Sequence, residues 1–72
     1  MVYKHFRAGV ISQDLDTGVF SGTIDNVHDY VYFEGSDMHE LEQNFHTAVD
    51  NYITECEKVG KKIELEGYNE NI

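Results

Sequence analysis

Seventy-two residues make one small domain, near the size at which a single core supplies only about 3–5 kcal/mol of net stability and a partner or second copy often adds the rest. With 40% hydrophobic and 26% charged residues and a formal charge of -9, the composition is that of a folding chain with an acidic surface. Direct nucleic-acid contact needs clustered Lys and Arg, and the chain has only Lys4, Arg7, Lys58, Lys61 and Lys62, so the acid excess points to a basic protein partner or simply to solubility.

In chain order, residues 3 to 12, YKHFRAGVIS, alternate loosely, with Phe6, Ala8 and Val10 on one side and Tyr3, His5, Arg7 and Ile11 on the other. That spacing predicts a strand with one greasy face. QDLDTG supplies turn chemistry through Asp14, Asp16 and Gly18, and VFSGTID then places Phe20 and Ile24 on one face of a second strand. After a break at Asn26, DYVYFEG alternates Val31 and Phe33 with Tyr30, Tyr32 and Glu34. Three strands in a meander are expected, the third ended by Gly35.

A helix follows. Asp37 is the expected N-cap, with Glu40 three residues on as a D-x-x-E capping box. Gly60 is the expected stop, preceded by Lys58, whose charge suits the negative end of the dipole. Met38, Leu41, Phe45, Ala48, Val49, Tyr52, Cys56 and Val59 recur at spacings of three and four, one apolar stripe for the Phe6/Val10/Phe20/Ile24/Val31/Phe33 face of the sheet. Beyond Gly60, Ile63 and Leu65 are expected in a short fourth strand beside the first, giving an α+β domain of β-β-β-α-β order over residues 1–67 and a tail or linker at 68–72.

The lone Cys56 can form no internal disulfide, which suits a reducing compartment. No apolar run approaches the ~20 residues of a membrane span, and MVYKHFRAGV lacks the apolar core of a signal peptide. A cytoplasmic location without membrane contact is expected. There is no internal repeat and no G-x-G-x-x-G or G-K-[ST] phosphate cradle.

GVFSGTIDNVHDYVYFEGSDMHELEQNFHTAVDNYITECEKVGKK resembles the N-terminal domain of HicB antitoxins. That family's pattern has a short hairpin, a G-K-I-like second strand, a V-T-F-E-G third strand and an S-V-E-E-L … F-x-E-A-V-D-D-Y-L … C-K … G-K helix. Phe33, Glu34, Gly35, Leu41, Phe45, Ala48, Val49, Asp50, Tyr52, Cys56, Lys58, Gly60 and Lys61 fall in its register without a gap, and the chain departs at Thr23, Met38, His39 and Asn51. The resemblance implies a partial RNase H-like fold turned binding module, partner to a HicA toxin, a small basic ribonuclease that cleaves mRNA with a histidine. Full-length members continue through E-P-x-K-P-Y-S-G into a DNA-binding segment; IELEGYNENI stands at that place without a proline, so DNA binding is not expected of this chain.

Chemistry is sparsely marked. A two-metal nuclease needs several carboxylates converging on ions about 4 Å apart, whereas Asp14, Asp16 and Asp25 fall in turns or at strand ends. His46 and Asp50 form an i,i+4 pair that could ligate a metal, but two ligands do not make a site and a solvent-exposed pair is expected. Cys56 lies on the apolar stripe without a base in the pattern, a core thiol. No catalytic, metal or cofactor residue is assigned, and no enzyme activity is expected. The partner-binding candidates are Glu42, His46, Asp50 and Glu57 on one side of the helix, and Tyr3, Tyr30 and Tyr32 are candidates for an oligomer contact on a sheet face away from it. Expected partners are thus a basic HicA-type toxin and further copies of the chain. The rivals are a HicB-like domain with some other protein partner and a metal-dependent nuclease.

Overall fold

Lys4 and His5 both lie in the left-handed region, φ 51° and 70°, and reverse the chain between β1 (Val2–Tyr3) and β2 (Phe6–Arg7), which pair with Tyr3 opposite Phe6. Two successive positive φ values are the signature of a tight hairpin turn whose twist matches its strands. The turn is held from outside by Asn26, 4% exposed. Its Oδ1 accepts the Arg7 amide and its Nδ2–H donates to the His5 carbonyl, both at 2.9 Å. The computed structural model describes residues 1–65 in this way, an α+β arrangement of two antiparallel sheets and one helix.

The single strand expected over residues 3 to 12 is therefore replaced by β1, β2 and a separate β3 (Ser12–Gln13). Just past β2 the backbone meets the second sheet through an Ala8–Ile24 bridge and the bonds Gly9 N–H to Thr23 carbonyl, 2.8 Å, and Asp25 N–H to Arg7 carbonyl, 3.0 Å. The alternation slips there. Val10, expected in the core, is 88% exposed, and Ile11, expected outside, packs on the core.

β3, β4 (Phe20–Thr23) and β5 (Tyr32–Gly35) form an antiparallel meander in the order β3-β4-β5, its first strand Ser12–Gln13 in place of the expected residues 3 to 12. The β3–β4 turn is built on Asp14, whose Oδ1 accepts the amides of Asp16 and Thr17 while Gly18 takes φ 77°. Phe20, Gly22 and Ile24 share one parity, with Gly22 and Ile24 buried and Phe20 half-buried against the core.

Helix α1 runs Met38–Val59. Asp37 caps it by accepting the Glu40 amide at 2.8 Å, and Glu40 reaches back to the Ser36 amide, 2.8 Å, one residue beyond the usual box. At the other end Gly60 (φ 70°) closes a Schellman motif, Lys61 N–H to the Cys56 carbonyl and Gly60 N–H to the Glu57 carbonyl. Leu41, Phe45 and Val49 are fully enclosed and pack with Phe6, Ile24, Val27 and Phe33. The stripe is shorter than its periodicity implies: Met38 and Val59, at the two ends, are 52% and 74% exposed because the helix overhangs the short strands beneath it.

The fourth strand does not form within residues 61–65. Ile63 and Leu65 instead lie half-buried against the core, since the strand they were to join is broken into β2 and β3 and presents no continuous edge. The expected tail at 68–72, and the last two residues of the expected domain, lie outside the described residues.

Candidate functional site

The helix has two flanks, and they differ in chemistry. On one lie the four residues singled out from sequence. Asp50 is occupied: its carboxylate takes Lys4 Nζ at 2.8 Å and the Tyr3 hydroxyl at 3.3 Å. The Lys4 ammonium holds the Asp50 carboxyl below its usual range, and Asp50 in turn raises Lys4. His46 is stacked on the Tyr3 ring, centroids 4.1 Å apart at 21°, and Lys4 Nζ lies 5.2 Å from that ring's centre. The β1–β2 hairpin is thus clasped onto this flank, and the expected solvent-exposed His46–Asp50 pair is instead half-buried beneath it. Glu42 and Glu57 stay exposed.

The same clasp corrects the placement of Tyr3. It was expected with Tyr30 and Tyr32 on a face away from the helix, but the two-residue turn swings it against α1. Tyr30 and Tyr32 are 80% and 49% exposed. The Tyr32 hydroxyl donates to Glu34 Oε2 at 3.0 Å, and that carboxylate raises the phenol.

The second flank borders the outer edge of β5. The Ile24 amide donates to the Val31 carbonyl at 3.0 Å. Bonded pairs recur every second residue of an antiparallel ladder, so Phe33 and Gly35 turn their backbone groups to β4 while Tyr32 and Glu34 turn theirs away. Accordingly the Glu34 carbonyl accepts the Asn44 side-chain amide at 2.6 Å. Between this edge and Asn44, Thr47, Ala48, Asn51, Tyr52 and Glu55 of α1 lies an open groove of about 490 Å³. Its far wall is fixed by the Tyr52 hydroxyl, which donates to Asp29 Oδ2 at 2.8 Å, and by Lys61, ion-paired with the same carboxylate. Lys61 and Tyr52 hold Asp29 below the usual carboxylate range, while burial and then Asp29 push the Tyr52 phenol up.

The groove escaped the sequence reading, although Asn44, Thr47, Asn51 and Glu55 recur at spacings of three and four and so trace one helix side. What was missing is which sheet edge that side would border. Asn26, read as a break, and Asp29, read into the third strand, carry side-chain ties to residues about twenty to thirty positions away, and nothing local in the sequence marks them. Cys56 is 3% exposed, a core thiol. Among the described residues no three His, Cys, Asp or Glu side chains gather as a metal site requires, and no helix is long and apolar enough to cross a membrane. Comparison with protein-family models, curated proteins and solved structures finds no match.

Proposed function

We propose that this chain is a HicB-like antitoxin domain, a non-enzymatic cytoplasmic module that neutralises a basic HicA-type mRNA-cleaving toxin by protein contact. One observation carries the reading beyond the sequence resemblance. Of the five cationic side chains in a chain of charge -9, Lys4, Arg7 and Lys61 are each paired with a carboxylate, Asp50, Asp25 and Asp29. The field offered to a partner is therefore acidic, suited to a cationic protein surface and unsuited to phosphate.

Support for the fold side of the reading comes from the residues that carry the resemblance. Gly35 lies under the first helical turn, and Leu41, Phe45, Val49 and Cys56 are in the core. A three-stranded antiparallel meander followed by one helix is in keeping with the β-β-β-α part of the family's order. Self-association through the face bearing Tyr30 and Tyr32 belongs to the same proposal: Tyr32→Asp is expected to shift sedimentation toward monomer with far-UV circular dichroism intact, and a parent already monomeric at high concentration removes that part.

The decisive experiment pairs the purified protein with the product of the adjacent gene, provided it is a short basic chain with one prominent histidine. RNA cleavage by that chain should stop on adding one equivalent of this protein. Undiminished cleavage sinks the antitoxin reading, and a neighbour of other character favours a different protein partner.

A further inference from the structure

The geometry points to the outer edge of β5 as a strand-addition site for an extended, basic segment of a partner protein, seated in the groove against α1. This deepens the antitoxin reading and rests on it for the partner's identity.

Several observations converge. Among the described residues no strand pairs with the outer edge of β5, and the backbone groups of Tyr32 and Glu34 face outward there. Such an edge is a template for another chain unless it is blunted. β5 is short and carries Glu34, but it has no Lys, no Pro and no bulge, its register with β4 running unbroken from Tyr32 to Gly35. The groove between edge and helix is lined by Ala48 and Tyr52 together with polar Asn44, Thr47 and Asn51, room for side chains on the inner side of an added strand. Asn44, already holding the Glu34 carbonyl, marks where addition would end.

Charge selects the occupant. Among the described residues, Glu34 and Glu55 are the carboxylates lining the groove, and no Lys or Arg lines it. Side chains on the outer side of an added strand would stand beside Glu34 and the exposed Tyr32 ring, where Lys or Arg gains a cross-strand ion pair and a cation–π contact. A second copy fits this edge poorly, because pairing β5 with its own kind sets glutamate against glutamate. The segment recognised is thus one that alternates basic residues, over the sheet face, with small apolar ones, over Ala48 and Tyr52.

The test uses a capped Lys-Val-Lys-Val-Lys peptide added to isotope-labelled protein, followed by NMR. Shifts are expected at Tyr32, Glu34, Asn44, Asn51 and Glu55, with those of the β1–β2 hairpin unmoved. Only alternate amides of an added strand point at its neighbour. N-methylation of either the lysine or the valine amides should therefore abolish the shifts, and methylation of the other set should be tolerated. A Glu-Val-Glu-Val-Glu peptide should shift nothing, and Glu34→Lys with Glu55→Lys, both exposed, should lose the response while far-UV circular dichroism stays unchanged. No shifts with the basic peptide, equal tolerance of both methylation patterns, or equal response to the acidic peptide overturns the proposal. Shifts of the groove residues Asn44, Asn51 and Glu55 on concentrating the protein alone would assign the edge to a second copy and overturn it as well. Toxin neutralisation untouched by the double variant removes this edge as the partner surface and leaves the antitoxin reading standing. Failure of the parent to neutralise removes that reading, and the peptide shifts still decide the edge.

Discussion

Gly35 is where the last strand and the first turn of α1 come closest. A Cβ there would lie 2.4 Å from the Leu41 nitrogen and 2.7 Å from its Cα, backbone atoms that cannot step aside. From sequence it looked like a strand terminator; its φ is not positive, and its real constraint is space, which becomes visible only when helix and strand are packed. Gly60 is the opposite case, with φ 70° and nothing within 4 Å of where a Cβ would stand, so its requirement is conformational and could be foreseen from its place after an apolar stripe. Gly35→Ala should therefore cost about 3 kcal/mol or more by overpacking, most of the stability of so small a domain, against about 1–2 kcal/mol for Gly60→Ala from the left-handed backbone alone. Urea unfolding of the two variants checks the order, and equal costs would mean the strand–helix approach is wider than it looks.

At the scale of elements, the N-terminal hairpin was the least legible piece and the helix the most. Helix signals are local: the Asp37 cap, the Gly60 stop and a stripe through Leu41, Phe45 and Val49 all lie within the segment they define. The hairpin turn, by contrast, has Lys4 and His5 where such turns favour Asn-Gly, and its hold comes from Asn26, about twenty residues on. Period-two alternation over residues 3 to 12 then merged three short strands into one, because a slip of one residue between Ala8 and Ile11 reverses every inward position after it. Asn26→Ala removes the two side-chain bonds that hold the hairpin turn, an expected loss of about 1–3 kcal/mol. Hydrogen exchange should show it: amides of β1 and β2 lose protection first, while those of Phe45 and Val49 in α1 keep theirs until global unfolding. Uniform loss of protection would mean the hairpin is no separate unit.

Ion pairs that clasp this hairpin and the helix end also set how the whole molecule responds to pH. Asp50 and Asp29 are held below the carboxylate reference of 3.8 by Lys4 and Lys61. A depressed folded value means the unfolded chain binds protons more readily, so these groups stabilise above pH 3.8 and lose that contribution as pH falls through their lower folded values. Lys4 and Lys61 are raised above 10.5, so their share is present below that value and is lost as pH rises beyond it. Asp29→Asn with Asp50→Asn should flatten both limbs of a plot of urea midpoint against pH. The effect should be modest, since both pairs are solvent-exposed and screened. Unchanged limbs in the double variant would place the pH dependence in other carboxylates.

The whole-molecule field bears on partner encounter. With three of five cations tied to acids within the fold, the charge of -9 is presented outward, and exposed charges steer a basic partner only within a Debye length of about 8–10 Å. Association with the proposed toxin partner should accordingly be fast at low salt and slow as ionic strength rises. Affinity should fall less steeply than rate, because apolar contact buried in the complex is not screened. Glu42→Lys with Glu57→Lys reverses exposed charge on the hairpin flank and should slow association while leaving the melt intact. Asp50→Lys is different in kind: it opposes Lys4 and loosens the hairpin, so its effect should appear in stability as well as in rate. Stopped-flow association across a salt series, with urea melts of the same variants, separates the two. A rate indifferent to salt would show that the acidic surface serves solubility and that shape, not field, brings the partner in.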